Sequence, residues 1–240
     1  MKDKSYYFSY LYSVASHTKQ RIFATLYGYP AFFDKSFMED RVATGVTSIP
    51  LSDGLTYHLN EKGYTSSIFI THDKSYNNMD GFLLKNEYSL KSIYSKKDYP
   101  EDKIVSYWGV QDDYLFEYAL NIFKGQQQPF FGTIITMNNH PDYIVPEEFM
   151  NISKEPSERT VFFADHSIRL FMEEASKQDW YENTVFVFLG DHGKIVGKQP
   201  YMIPLSLNHI PLIIYSPLLE DMPKIFNQAA TQIDVFPTVM

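Results

Sequence analysis

Thr184-Val185-Phe186-Val187-Phe188-Leu189-Gly190-Asp191-His192-Gly193 is an apolar run without alternation that breaks at a glycine into a carboxylate, an imidazole and a second glycine. A strand buried on both faces reads this way, whereas a strand with one wet face alternates. Residues 64–70, 130–137 and 210–215 are similar short runs rich in Phe, Ile, Val or Tyr. Helical periodicity lies between them. Residues 113–123 place Leu115, Tyr118, Ala119 and Ile122 on one face, and residues 161–176 do the same with Ala164, Ile168, Phe171 and Ala175. Buried strands interleaved with helices of that length predict an α/β fold, with a mostly parallel central sheet flanked by helices on both faces.

The chain has 240 residues, 44% of them hydrophobic, with 19 Tyr and 19 Phe. That is enough to form a core unaided. Pro and Gly are scattered, and no repeat or low-complexity tract interrupts the pattern, so one domain is expected over residues 1–240. Twenty-one Lys and Arg against 29 Asp and Glu give a net charge of -8. With no basic cluster there is no footprint for a polyanion, which argues against nucleic acid as a partner. The absence of cysteine excludes a disulfide framework, a thiolate metal site and a cysteine nucleophile, and leaves the compartment open.

No run approaches the roughly 18 apolar residues of a membrane span, and Met1-Lys2-Asp3-Lys4-Ser5 leads into no signal-peptide core. As written, the chain reads as soluble. Its ends are unusual, because residues 6–14 and 233–240 are apolar where frayed polar termini are the norm. A piece of a longer protein is expected.

Chemistry-bearing residues follow the strands. Residues 64–70 run into Thr71-His72-Asp73, residues 130–137 into Asn138-Asn139-His140, and residues 184–189 into Gly190-Asp191-His192-Gly193. Ligands bind at the carboxyl ends of parallel strands, where residues distant in sequence converge. His209 precedes residues 210–215, which puts it at the opposite edge unless that strand runs antiparallel or the loop before it folds back. His58 and His166 lie on expected helices without an acidic or histidine companion at ligand spacing, and are set aside. Asp191-His192 is compatible with an ordinary turn. An adjacent carboxylate and imidazole can equally ligate a divalent ion, with glycine on either side allowing close backbone approach.

At Phe186-Val187-Phe188-Leu189-Gly190-Asp191-His192-Gly193 the chain resembles the alkaline-phosphatase superfamily, and within it the lipoteichoic-acid-synthase-like branch of the sulfatase-type members. Ordered similarities extend from about residue 6 to residue 240. They include His17-Thr18, Ala24-Thr25-Leu26-Tyr27-Gly28-Tyr29-Pro30, Thr71-His72-Asp73, Asn78-Met79-Asp80-Gly81-Phe82-Leu83 and Asp98-Tyr99-Pro100. Further on come Pro129-Phe130-Phe131, Asn139-His140-Pro141, Ala164-Asp165-His166-Ser167-Ile168, Asn208-His209-Ile210-Pro211 and Gln232-Ile233-Asp234-Val235-Phe236-Pro237-Thr238.

The resemblance implies a metal-dependent phosphotransferase or phosphodiesterase acting on a glycerophosphate- or ethanolamine-phosphate-type headgroup. Thr18 matches the family's nucleophile, and Thr18, Asp191 and His192 match ligands of a divalent metal, Zn or Mn, with Mg as a further choice. A threonine hydroxyl is a weak nucleophile at neutral pH, and a Lewis acid that stabilises its alkoxide overcomes this. His140, His72 and His209 match substrate-binding positions. Thr18 could also cap the helix-like residues 19–26, a role compatible with an anion site at a helix N-terminus.

The family's further carboxylate ligand, normally a Glu ending the first strand, has no counterpart before Thr18. The fold is therefore expected to be incomplete at the N-terminus, and residues 1–240 to be a partial sulfatase-like catalytic domain. The missing segment would carry the membrane spans of a parent protein at the extracytoplasmic face of a bacterial membrane. The partner so implied is a phospholipid- or glycan-linked phosphoester substrate.

Two alternatives belong to other classes. Sulfate-ester hydrolysis by a formylglycine needs a Cys/Ser-x-Pro-x-Arg motif, and the nearest stretch, Ser48-Ile49-Pro50-Leu51-Ser52, lacks the arginine. A truncated, inactive domain that only binds an anionic headgroup is the non-enzyme alternative.

Overall fold

A computed structural model describes residues 5–14, 17–30, 54–85, 88–194, 205–219 and 224–240. In chain order the elements are β1 (Ser5–Tyr12), α1 (Thr18–Tyr27), α2 (Leu55–Glu61), β2 (Thr65–Ile70), α3 (Met79–Lys85), β3 (Ile93–Tyr94), β4 (Ile104–Ser106) and β5 (Gly109–Val110). There follow α4 (Asp112–Gly125), β6 (Phe130–Ile135), α5 (Pro156–Ala175), β7 (Phe186–Leu189), α6 (Leu205–Asn208), β8 (His209–Tyr215), β9 (Lys224–Phe226), β10 (Ala230–Thr231) and α7 (Val235–Val239). The α/β class holds, and the strands expected at residues 64–70, 130–137, 184–189 and 210–215 are β2, β6, β7 and β8. The chain divides into two compact units, residues 1–58 with 180–240, and residues 59–179.

In the first unit the sheet runs β10-β1-β8-β7, with β9 also paired to β1. β9 and β10 lie parallel to β1, while β8 runs antiparallel to both β1 and β7. Leu11, Ile210, Leu212, Ile214 and Val235 form its core, with Phe8, Val187 and Leu189 packed against them. Phe8 stacks on Phe226 at 4.7 Å between ring centroids. The apolar residues near the two chain ends are thus used: β1 lies inside the sheet, and α7 contributes Val235 to the core.

The second unit contains the parallel sheet β3-β2-β6 and the antiparallel pair β4-β5. Ile68, Phe69 and Ile70 are consecutive and all fully buried, as a strand covered on both faces requires. Phe123 of α4 sets its ring against Phe69 and Phe130 at 5.3 and 4.9 Å, and Phe116 meets Phe171 of α5 at 5.1 Å. Asp112 and Asp113 in the first turn of α4 suit the positive end of the helix. α5 starts at Pro156, five residues before its apolar periodicity begins. Proline is preorganised for the first helical position, and the polar first turn is solvated and carries no periodic signal.

Among the described residues, no helix is long and apolar enough to cross a membrane.

Candidate active site

β7 ends at Leu189, pairing with Leu212 of β8, and the Gly190 N–H donates to the Pro211 carbonyl. This releases Asp191-His192 from the sheet edge, with both side chains about two-fifths exposed. The Thr18 hydroxyl donates to Asp191 Oδ2 at 2.8 Å. Asp191 Oδ1 accepts the His192 backbone N–H at 2.8 Å, which fixes the carboxylate orientation. His192 Nδ1 lies 2.7 Å from the Gly193 carbonyl. A carbonyl only accepts, so Nδ1 donates, and in the neutral ring the lone pair is on Nε2. That nitrogen is 3.6 Å from Asp191 Oδ2, the same oxygen that receives Thr18. Gly193 is required by space, since a Cβ there would lie 2.2 Å from the Ser206 carbonyl oxygen.

Thr18 is the first residue of α1, and the capping position belongs to His17, whose N–H donates to Gln20 Oε1 at 3.2 Å. The cap role considered for Thr18 therefore falls to its neighbour, and the Thr18 hydroxyl is committed to Asp191.

Two further residues support this cluster. Gln232 is fully buried, donates Nε2 to the Asp191 carbonyl at 2.9 Å and accepts the Val14 N–H at 3.2 Å, so it joins the β1 exit to the β7 exit. Arg21 is 1% exposed on α1. Burial lowers its pKa, and the Asp191 charge acts in the opposite direction. Spacing could have flagged Arg21, because residues three apart on a helix share a face with Thr18. Gln232 lies within a matched motif but carries no signal of its role.

His209 opens β8, and because β8 is antiparallel to β7 and β1 it lies at the same sheet edge as Asp191, opposite Tyr12. Its Nε2 donates to the Ser9 carbonyl at 2.7 Å, and its ring lies against Tyr10 and Tyr12 at 6.2 and 5.4 Å. His58 packs against Tyr57 and Phe236, and His166 against Phe149 and Arg169.

His72 and His140 belong to the second unit. Both approach Trp108, with centroids 6.3 and 4.5 Å away. His72 follows β2; burial lowers its pKa and favours the neutral ring. Gly109, at φ 102°, packs directly on this strand exit: a Cβ there would lie 1.8 Å from the Thr71 carbonyl oxygen. His140 is exposed on the loop after β6, and Asp142 and Tyr143 just beyond it take positive φ values of 92° and 43°. These are uncommon for residues with a Cβ.

The loop is anchored by Asp112. Its Oδ1 accepts from the Met137 and Asn138 N–H groups at 2.8 and 3.0 Å, while Asn138 Oδ1 accepts the Asp112 N–H at 2.6 Å. Burial pushes the Asp112 pKa up to about 6, against the lowering effect of these N–H donors. Trp108 and Asp112 are not recognisable as site residues from sequence chemistry alone, and Asn138 stands out only by following a strand.

Among the described residues, no group of three or more His, Asp or Glu side chains is assembled as a metal cage. The donors at Thr18, Asp191 and His192 nevertheless suit a divalent ion, since the Thr18 hydroxyl and the His192 Nε2 both approach one Asp191 carboxylate oxygen. His192 Nε2 and Asp191 Oδ2, 3.6 Å apart, are close enough for both to reach one cation. The Ser48-Ile49-Pro50-Leu51-Ser52 stretch lies outside the described residues.

A family model for sulfatases matches residues 1–240. The lipoteichoic acid synthase-like protein YvgJ of Bacillus subtilis is 26% identical over 206 residues, which cover 76% of this chain and 33% of the relative. Lipoteichoic acid synthase of Staphylococcus saprophyticus is 27% identical over 142 residues, 55% of this chain and 22% of the relative. The chain thus spans about a third or less of these relatives. Lipoteichoic acid synthase LtaP of Listeria monocytogenes superposes with a TM-score of 0.83 at 19% identity, over 100% of this chain and 63% of the other. A protein of the alkaline phosphatase superfamily from Vibrio parahaemolyticus gives 0.82 at 23% identity, over 99% and 57%. With its alkaline-phosphatase-like fold and a match along its whole length, the chain belongs to the sulfatase family.

Proposed function

We propose that residues 1–240 are part of a single catalytic domain of a phosphotransferase or phosphodiesterase, with Thr18 as nucleophile and a glycerophosphate- or ethanolamine-phosphate-type headgroup as substrate. The observation that carries this reading is the 2.8 Å hydrogen bond from Thr18 to Asp191 Oδ2, with His192 Nε2 at 3.6 Å from the same oxygen. The likeness to lipoteichoic acid synthases supports a phosphoester substrate over a sulfate ester, and the lack of cysteine removes the usual precursor of a formylglycine.

Thr18, Asp191 and His192 would hold a divalent ion, Zn, Mn or Mg. When bound it supplies positive charge that favours the threonine alkoxide and neutralises phosphoryl oxygens. The hydrogen bond turns the Thr18 proton toward Asp191 and leaves the oxygen lone pairs for phosphorus. Attack forms the Thr18 Oγ1–P bond as the P–O bond to the leaving group breaks, and the Thr18 proton, passed by way of Asp191 Oδ2, neutralises the departing alkoxide as an alcohol. An acceptor alcohol or water then takes the phosphoryl group and frees Thr18. Thr18 starts α1, so a group carried on its hydroxyl would lie at the positive end of that helix, which supports the reading. His140, His72 and His209 are assigned to substrate binding. The longer parent protein would act at the extracytoplasmic face of a bacterial membrane.

Incubation with a chromogenic phosphodiester and Mn or Zn, followed by mass spectrometry, tests the reading. Phosphorylation at Thr18, absent in Thr18→Ala, is expected. Turnover that survives Thr18→Ala would overturn the nucleophile. Phosphodiester binding without a phosphorylated residue or turnover would favour the inactive, headgroup-binding alternative.

A further inference from the structure

The hydrogen bond between Thr18 and Asp191 joins two segments of the first unit, the exit of β1 that leads into α1 and the exit of β7. Gln232 is bonded to both. Its Oε1 accepts the Val14 N–H at 3.2 Å and its Nε2 donates to the Asp191 carbonyl at 2.9 Å, with the whole side chain buried. Val14 stands four residues before Thr18, and the second bond is to Asp191 itself. Together they require one acceptor and one donor on a single side chain. An amide supplies both, an ionised carboxylate only accepts, and a thioether of similar length replaces neither bond.

The amide is itself held in place. Ala230 and Thr231 of β10 pair with Leu11 and Tyr12, which brings Gln232 to the end of β1. The Thr231 N–H and hydroxyl donate to Asp234 Oδ2 at 2.7 and 3.1 Å and lock the turn that follows. α1 packs on this turn at its far end, where a Cβ on Gly28 would lie 3.4 Å from the Ile233 carbonyl oxygen. Residues 231–234 thus touch the helix that Thr18 starts, the segment that leads to it and the residue that Thr18 meets.

Other ties hold the two segments without this side chain. The Ser13 N–H donates to the Asn208 carbonyl at 2.7 Å, and the Gly193 N–H to the Leu207 carbonyl at 2.8 Å. Both are main-chain bonds, and neither is made to Asp191. Removing the amide therefore leaves both loops attached and frees the peptide that carries the Asp191 carboxylate.

We propose that Gln232 is a positioning residue for the Thr18–Asp191 pair: one buried amide, bonded to the main chain on both sides, sets how the carboxylate meets the hydroxyl. It acts through Asp191 and not on the substrate. The consequence for rate rests on the reading of Thr18 as nucleophile, whereas the alignment itself needs neither metal nor turnover.

Methyl NMR of Thr18 in the metal-free 240-residue chain tests the alignment, with Asp191→Ala as the reference for a broken hydrogen bond. Gln232→Met removes both amide bonds, and Gln232→Glu keeps the acceptor for Val14 but loses the donor to Asp191. Each should move the Thr18 signal toward its position in Asp191→Ala. Should the Met variant fail to fold, the nearly isosteric Glu variant carries the test. Val235→Ala loosens the adjacent core without touching either bond, and should leave the signal in place. With Mn and a phosphodiester, both Gln232 variants should phosphorylate Thr18 about tenfold more slowly or worse, at a KM within about twofold of wild type. A Thr18 signal unmoved in the Gln232 variants, moved as far by Val235→Ala, or unmoved by Asp191→Ala would overturn the proposal. Phosphorylation at the wild-type rate in both Gln232 variants would do the same. If the signal moves as expected but wild-type Thr18 is never phosphorylated, the alignment stands and the catalytic reading fails.

Discussion

Asp112 and Asn138 hold each other's main chain: the Asp112 carboxylate accepts the Asn138 N–H at 3.0 Å, and the Asn138 side chain accepts the Asp112 N–H at 2.6 Å. One side of this clasp starts α4, four residues after Trp108. The other starts the loop that carries His140, two residues later. The 4.5 Å contact between the Trp108 and His140 rings therefore has a buried polar anchor beneath it.

Replacing Asp112 by alanine leaves the Met137 and Asn138 N–H groups without their acceptor, whereas asparagine keeps an oxygen in place. Since each buried donor left unpaired costs about 1–3 kcal/mol, Asp112→Ala should be roughly 2–4 kcal/mol less stable than Asp112→Asn. Urea unfolding of the two neutral variants measures the difference. The Asn variant should also retain the wild-type His140 imidazole NMR shift, and the Ala variant should lose it.

The raised Asp112 pKa fixes the sign of a pH effect. Between the ordinary value of 3.8 and about 6 the native state binds more protons than the unfolded chain, so stability falls as pH rises through that window. Asp113 contributes in the same direction. Relative to Asp112→Asn, the wild type should lose up to roughly 3 kcal/mol on going from about pH 4 to about pH 7. Denaturation of both proteins across this range checks it, and a constant gap between them would contradict it.

Gly109→Ala introduces a Cβ 1.8 Å from the Thr71 carbonyl at a φ of 102°. Left-handed backbone and overpacking together predict a loss of about 3 kcal/mol or more. A thermal melt should show it, together with disturbance of the neighbouring Trp108 and His72 signals.

For the metal, both Asp191→Ala and His192→Ala should lose the rise in melting temperature with Mn or Zn; without added ion His192→Ala should melt as the wild type does, and Asp191→Ala somewhat lower, because Asp191 offsets the charge of buried Arg21. A ligand at a hundred times its Kd stabilises the folded state by about 2.7 kcal/mol, a readily measured shift. Thr18→Ala should keep most of the response, because water can occupy the position its oxygen leaves.

The apolar runs at residues 64–70, 130–137, 184–189 and 210–215 sufficed for the α/β class, but burial on both faces holds only for β2, since β6 and β7 are half-buried and β8 alternates exposed and buried residues. The motif Gly190-Asp191-His192-Gly193 was legible because a strand end next to two ligand-type residues is a local pattern. Local sequence also marked Thr18 as a hydroxyl at a helix start, which left both a cap and a role at an anion site open. Its engagement with Asp191, 173 positions away, is visible only in three dimensions.

Strand direction was the main property that local pattern left open. β8 runs antiparallel between β1 and β7, which brings His209 to the edge where β7 ends; nothing in residues 209–215 encodes direction, because an apolar strand satisfies its hydrogen bonds either way. The buried supports are of the same kind. Arg21, Asp112, Asn138 and Gln232 resemble surface residues in the sequence, and only the packed structure supplies the burial and the partners that define their roles. Composition and periodicity determine which segments are buried, since the hydrophobic effect is non-directional. The pairing of particular polar groups depends on distance and angle, and those are decided when the tertiary structure closes.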